Sequence, residues 1–424
     1  MRTAFTDTAL KDPHLKDAEA NLRKCVHCGF CTATCPTYLV LGDERDSPRG
    51  RIALMQNMLE SDAPPLAETV KHLDRCLSCL GCRTTCPSGV DYAALIDTAR
   101  GHIEQHYHRP DSERRFRAFV LYALMHPFVF GLLVRVAKIT RPLLFLLPKP
   151  MRVMAAKAPL PQRLTRAHHQ TLAPARIDRR VAILPGCVQR ALAPEIDLAA
   201  SRVLARRNVL ATPLKKSGCC GSLALHMGQV EIAKISAREL IAVFESAEKQ
   251  EALVAVLITA TGCAAFIKDY PRLFLGDAEW APRAERLALK LRDFSELTEP
   301  RAAEPLEATG MHVAYHPPCS LQHGQRLTGM VETLLETAGY RVSAIEDGHL
   351  CCGSAGSYSV LQPEISAELR SRKLSHIRAT GAKIVASGNL GCLTQLSGAD
   401  SVPTIHVAEL VDWAEGGPKP PALK

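Results

Sequence analysis

A chain of 424 residues, 47% of them hydrophobic and 22% charged, has room for several domains with cores of their own and is too apolar to be disordered. The net charge of +9 is local: residues 101–180 carry 15 Lys and Arg against 4 Asp and Glu, and the remainder is close to neutral. Those basic residues interleave with an apolar run rather than with exposed aromatics, which argues against nucleic acid as a partner.

The N-terminus is polar, with no apolar stretch that would serve as a secretory leader and no twin-arginine signal. A cytoplasmic location is therefore expected, and in that reducing compartment 16 cysteines point to metal rather than disulfides. Residues 1–100 hold the densest pattern: Cys25, Cys28, Cys31 and Cys35-Pro36, repeated as Cys76, Cys79, Cys82 and Cys86-Pro87. An iron–sulfur cubane needs four soft thiolates converging from different directions. Three cysteines at two-residue gaps wrap one face, and the fourth, before proline, reaches the other cluster of a pair. The spacing predicts one [4Fe–4S] cluster on Cys25, Cys28, Cys31 and Cys86, and a second on Cys76, Cys79, Cys82 and Cys35. Structural zinc would stop at four ligands from paired CxxC units, and a c-type haem would need His directly after CxxC, where Gly29 and Leu80 stand. His27 reads as a solvated neighbour. Between the motifs, Ile52, Leu54, Met55 and Leu59 fall at helical spacing over residues 49–60.

Residues 101–178 read as a connector: apolar helices broken at Pro127 and Pro142, then a linker punctuated by Pro159, Pro161 and Pro174. The uncharged run from Ala118 to Val134 is 17 residues long, short of the roughly 20 that a spanning helix needs. With Arg135, Lys138 and Arg141 following at once, it suits peripheral attachment to an anionic membrane face or to an acidic partner, the alternative being plain packing against the cluster domain.

From residue 179 the chain repeats itself. A strand at Val181–Leu184 leads into Pro185-Gly186-Cys187, then Cys219-Cys220-Gly221, then an apolar run at Leu253–Ile258 into Gly262-Cys263. A strand at His312–Tyr315 leads into Pro317-Pro318-Cys319, then Cys351-Cys352-Gly353, then Lys383–Ala386 into Gly391-Cys392. In each unit 31 residues separate the first cysteine from the adjacent pair. Each ends in a similar phrase, Asp293-Phe294-Ser295-Glu296-Leu297 and His406-Val407-Ala408-Glu409-Leu410. Helical patterns at Val230–Ser246 and Ile365–Ile377 alternate with the strands, which predicts two α/β lobes with mainly parallel sheets. The expected architecture is thus α+β multidomain: a mostly helical two-cluster ferredoxin-like domain (1–100), the connector (101–178), and two cysteine-rich lobes (179–300 and 301–424). Recurrence at matched places makes Cys187, Cys219, Cys220, Cys263 and Cys319, Cys351, Cys352, Cys392 candidate sites for a further cluster or metal.

The two repeats resemble the cysteine-rich CCG domains of the heterodisulfide reductase B family. That family adds a final CxxC, where this chain has Phe266 and Gln395, so a four-thiolate cluster, zinc and an empty redox-active lobe all stay open. The phrases Leu22–Tyr38, Pro48-Arg49-Gly50-Arg51-Ile52, His72–Cys76 and Thr85–Val90, in this order before two cysteine-rich repeats, resemble the iron–sulfur subunit of bacterial glycolate oxidase. The resemblance implies an electron-transfer subunit, with no catalytic residue of its own, beside FAD-containing subunits that oxidise glycolate to glyoxylate. It implies membrane quinone as acceptor and peripheral contact with the inner membrane. The sequence agrees in that no GxGxxG follows a strand, so no FAD or NAD is expected on this chain. The same architecture serves lactate and anaerobic glycerol-3-phosphate dehydrogenases, and a disulfide reductase acting at the lobes is the remaining alternative.

Overall fold

The computed structural model describes residues 1–61, 63–139, 164–302, 308, 310–398 and 401–423. Through His106 the chain is helices and tight turns. Helix Pro13–Lys24 starts on Asp12, whose carboxylate accepts from the His14 N–H at 2.8 Å, and it delivers the chain to Cys25. Helix Pro48–Leu59 starts on Ser47, which accepts from the Gly50 N–H at 3.0 Å, with proline at its first position. It buries Ile52, Met55, Met58 and Leu59 against Leu22, Val70, Leu73, Leu95 and Ile96. Leu54, assigned to that stripe by its spacing, is only half buried.

The connector begins as predicted from its prolines. Helices Asp111–Met125 and Pro127–Ile139 meet at His126, which is extended because it precedes proline, and the chain bends there by 105°. Leu121 and Met125 pack into the core of the first lobe. Among the described residues no single helix is long and apolar enough to cross a membrane. The predicted break at Pro142 and the linker as far as residue 163 lie outside the described residues.

Each lobe is built on a four-stranded parallel sheet. In the first, β1 (Arg179–Ile183), β2 (Val209–Pro213), β3 (Ala255–Ile258) and β4 (Leu291–Asp293) stand in the order β2-β1-β3-β4. In the second, β5 (His312–Tyr315), β6 (Arg341–Ala344), β7 (Ile384–Ser387) and β8 (Thr404–His406) repeat it as β6-β5-β7-β8. The inner strands β3 and β7 are buried throughout, as parallel strands covered on both faces are. The phrase that ends each repeat is a capping box at a strand end: Asp293 with Glu296, and His406 with Glu409, each turn β4 or β8 directly into a helix.

One core runs through both lobes, joining Val181, Ile183 and Leu257 to Val313, Tyr315 and Ile405. Helices Glu195–Ala205 and Val407–Ala414 pack across the boundary, where Arg202 and Arg206 pair with the buried Asp412 at 2.7 and 2.8 Å. The N-terminal part rests on both lobes, through Arg272 to Asp97 at 3.0 Å on one side and Thr84 to His323 at 2.8 Å on the other.

Candidate metal centres

The two N-terminal cysteine runs share a backbone device. His27 and Ser78, each just before the second cysteine, have φ of 54° and 51°, and Gly29 and Leu80, just after it, have φ of 86° and 62°. Alternating left-handed residues curl the chain tightly, so that successive sulfurs turn towards one centre. For Leu80 this conformation costs on the order of 1 kcal/mol, strain of a kind that concentrates at functional sites.

A small cavity is lined by Cys25, Cys28, Cys31, Cys82 and Cys86, with Cys35 outside it. Cys35 is buried elsewhere: its sulfur lies 3.2 Å from Thr37 Oγ1 and 3.9 Å from the guanidinium of Arg51. Arg51 is 1% exposed. Its Nε donates to the His72 carbonyl at 2.8 Å and its Nη2 pairs with Asp46 at 3.1 Å. The thiols of Cys76 and Cys35 both bear on its charge. Cys82 and Cys86 thus line the cavity with the first run, while Cys35 and Cys76 both lie near Arg51.

All 16 cysteines are free. Burial pushes the Cys31 thiol up to about 11 and holds Cys79 and Cys82 well above the ordinary thiol range. Thiolates in such places need a cation against them, and convergent soft donors of this kind fit iron–sulfur clusters.

In the lobes the cysteines gather at the carboxyl ends of the strands. Cys187 follows β1, Cys219 and Cys220 follow β2, and Cys263 follows β3; Cys319, Cys351, Cys352 and Cys392 take the matching places. The order β2-β1-β3-β4 reverses direction between β1 and β3, and open α/β sheets bind ligands in the crevice at such a switch point. The sulfurs of Cys187 and Cys219 are 3.5 Å apart. Two thiolates on one tetrahedral ion, each about 2.3 Å from it, stand about 3.8 Å apart. Thiol neighbours run from Cys187 to Cys219, Cys220 and Cys263 in one lobe, and from Cys319 to Cys351, Cys352 and Cys392 in the other.

The glycine after each cysteine pair is required. Gly221 and Gly353 have φ of 88° and 87°, and a Cβ would lie 2.9 Å from the Ala233 carbonyl or 2.7 Å from the Ser366 carbonyl. The places of the absent fifth cysteines are filled by packing. Phe266 stacks edge-on against Tyr270, and Gln395 bonds the Ser366 hydroxyl at 2.9 Å.

The two cysteine systems meet. Cys79 packs with Leu77, Cys319, Cys351 and Tyr358 in one apolar cluster, and after burial the charge of Cys319 is the largest influence on the Cys79 thiol. The buried Lys373 faces Cys319, Cys351 and Cys352, with its Nζ donating to the Asp347 carbonyl at 2.5 Å. Sequence reasoning missed Arg51 and Lys373. Arg51 stands inside a quoted motif, but nothing in the pattern says that its guanidinium turns inward.

Comparison with known proteins agrees with this arrangement. The 4Fe-4S dicluster domain family matches residues 21–90, and the cysteine-rich domain family matches residues 181–268 and 313–397. The glycolate oxidase iron-sulfur subunit of Escherichia coli K12 is 39% identical over 98% of this chain and 99% of its own. The probable glycolate oxidase iron-sulfur subunit of Bacillus subtilis 168 is 32% identical over 94% of this chain and 95% of its own. Lactate utilization protein A of Shouchella clausii is 31% identical over 46% of this chain and 83% of its own. With two cysteine runs in a helical domain and two parallel-sheet lobes carrying matched cysteines, the chain belongs to the family of glycolate oxidase iron–sulfur subunits.

Proposed function

We propose that this chain is the electron-transfer subunit of a glycolate dehydrogenase complex. On this reading Cys25, Cys28, Cys31 and Cys86 hold one [4Fe–4S] cluster, and Cys76, Cys79, Cys82 and Cys35 hold the other. When bound, the clusters supply one-electron relay between a partner's FAD, where glycolate becomes glyoxylate, and membrane quinone. The chain's own work is to hold, insulate and tune. Tight left-handed turns aim the sulfurs, burial excludes water, and the Arg51 guanidinium offsets negative charge beside Cys35.

The observation that carries the reading is the packing of Cys79 against Cys319 and Cys351, which joins the dicluster region to the second lobe. A relay needs such continuity, whereas a zinc scaffold does not. The lobes supply further cluster or metal sites at Cys187, Cys219, Cys220, Cys263 and at Cys319, Cys351, Cys352, Cys392. The division of the chain near residues 100, 178 and 300 follows the same reading.

Attachment is peripheral, on the cytoplasmic face of the inner membrane. The bent connector exposes Phe119, Tyr122, Phe128 (82%) and Leu132 beside exposed Arg114, Arg115 and Arg135. Apolar side chains rimmed by basic ones suit an anionic surface. The likeness to lactate utilization protein A favours a second reading, the same role beside a lactate-oxidising flavoprotein. Anaerobic mixing of the purified chain with its flavoprotein subunits and either substrate decides between them. Cluster bleaching by glycolate supports the first reading, bleaching by lactate alone supports the second, and a colourless protein rejects both.

A further inference from the structure

His316 is 0% exposed, and its main chain is fully engaged: its N–H donates to the Ala386 carbonyl at 2.8 Å and its carbonyl accepts from Ser387 Oγ at 2.9 Å. Its ring is not. Neither Nδ1 nor Nε2 has a hydrogen-bond partner among the described residues. Each buried polar atom left in that state costs about 1–3 kcal/mol, which a native site tolerates when something absent from the protein chain completes it.

The ring points into the cysteine site of the second lobe. One of its nitrogens and the sulfurs of Cys352 and Cys392 all lie within 4.8 Å of one another, and all three residues are buried. The Asn389 amide donates to the Cys392 sulfur at 3.4 Å, and the Lys373 ammonium faces the neighbouring thiols. The first lobe provides the control. Its corresponding residue, three before Cys187 as His316 is three before Cys319, is Leu184, which packs in an apolar core. A duplicated fold thus satisfies this position with a hydrocarbon in one copy and places an unpartnered imidazole there in the other.

We infer that His316 is a nitrogen ligand completing, with Cys319, Cys351, Cys352 and Cys392, a five-donor iron–sulfur centre in the second lobe that the first lobe does not have. Five soft donors exceed the four at which structural zinc stops. Cys79 packs against the apolar cluster that holds Cys319, which sets the centre beside the dicluster region. Neutral imidazole in place of an anionic thiolate raises a cluster's potential, as histidine ligation does in Rieske centres. The inference rests on the relay reading above.

The test uses the full chain purified anaerobically from cells grown with 57Fe and 15N-labelled histidine, as wild type, His316→Ala and His316→Cys. Iron, sulfide and zinc per chain, Mössbauer spectra and pulsed-EPR nitrogen couplings are compared. The expected result is a histidine coupling in the wild type, loss of one centre's iron in His316→Ala, and retained iron with no coupling and a lower potential in His316→Cys. The Mössbauer components of the N-terminal clusters stay unchanged throughout. Wild-type iron and spectrum in His316→Ala, or zinc in the lobe, overturns the proposal. If His316→Ala does not fold, His316→Cys decides: a coupling that persists there overturns it. A wild type lacking both N-terminal components, but keeping the histidine-coupled centre, would sink the dicluster reading and leave this one standing.

Discussion

The phenol of Tyr358, in the second lobe, donates a 3.0 Å hydrogen bond to the carbonyl of Arg75, the residue before Cys76. The same side chain lies in the apolar cluster that holds Cys79 against Cys319 and Cys351. It therefore fastens the second cysteine run to the lobe where the two thiol systems meet.

Tyr358→Phe keeps the packing and removes this bond. The expected loss is about 1 kcal/mol of stability, since a part-buried carbonyl is left without its partner. Both N-terminal cluster spectra should persist, while electron exchange between them and the second lobe slows. Thermal unfolding under anaerobic conditions and freeze-quench EPR measure the two effects. An unchanged exchange rate would mean that the bond does not set the approach.

Crosswise ligation makes a pairing prediction. Cys28→Ser and Cys86→Ser should degrade the same EPR signal, because an alkoxide is a poorer iron ligand than a thiolate. Cys35→Ser and Cys79→Ser should degrade the other. The cavity that takes in Cys86 and leaves out Cys35 is the structural motive. Cys35→Ser acting on the signal lost in Cys28→Ser would refute the crossover.

Arg51 gives a prediction with a definite sign. Its guanidinium is 3.9 Å from the Cys35 sulfur, and reduction adds negative charge there. A fixed positive charge favours the reduced form, so Arg51→Gln should lower the potential of the cluster that uses Cys35. The variant also removes one cation from the buried Asp46, which keeps Arg75 at 3.0 Å and the ring of His72 at 3.0 Å. Breaking a buried pair outright costs about 3–5 kcal/mol, and the remaining partners reduce that cost. EPR-monitored redox titration reads the potential; a rise, or a shift confined to the other cluster, contradicts the assignment.

Much of this was legible in the sequence because it is local or repeated. The cysteine runs, the two lobes, the inner strands and the bend at Pro127 follow from spacing, duplication and proline chemistry. The phrases ending at Leu297 and Leu410 were visible as a repeat, but their meaning as capping boxes needed the strand ends. What stayed hidden is tertiary. Cys79 and Cys319 are far apart in the chain, and Arg51 shows no sign in the pattern that it is buried. His316 differs from its surroundings only when the repeats are laid side by side and Leu184 appears opposite it.

Glu409, in the capping box at β8, should contribute stability that falls with rising pH, against the opposite trend of His406, whose pKa burial lowers to about 4. Burial, with the Glu195 charge next, pushes Glu409 up to about 8 from 4.5. A carboxyl with a raised folded-state pKa binds more protons folded than unfolded between those values. Its contribution to stability is therefore full below about 4.5 and is lost as pH climbs towards about 8. The slope from one such group is at most about 1.4 kcal/mol per pH unit. Glu409→Gln, which keeps an acceptor for the His406 N–H, should flatten the profile in denaturant unfolding from pH 5 to 8. A variant with an unchanged slope would assign the pH dependence elsewhere.

The proposed membrane attachment can be tested from where the charge and the exposed apolar side chains sit. Phe128 and Leu132 project one turn apart from the helix after the bend, with Phe119 and Tyr122 exposed on the helix before it. If this face docks on an anionic leaflet, two contributions act together. Apolar burial scales with area at about 25 cal/mol per Å². Each basic residue near the surface adds about 1 kcal/mol, screened over about 8 Å at physiological ionic strength. High salt should then release the protein from vesicles only in part. Phe128→Asp with Leu132→Asp should abolish binding at any salt, because it removes the apolar contribution and adds repulsion. Arg135→Gln should weaken binding modestly and reduce its dependence on salt, because one charge contact is gone. Flotation of the purified chain with phosphatidylglycerol-rich vesicles, against neutral vesicles, reads all three. No co-flotation at low salt would remove direct attachment and leave this face to a partner subunit, which would then bring the chain to the membrane only within the assembled complex.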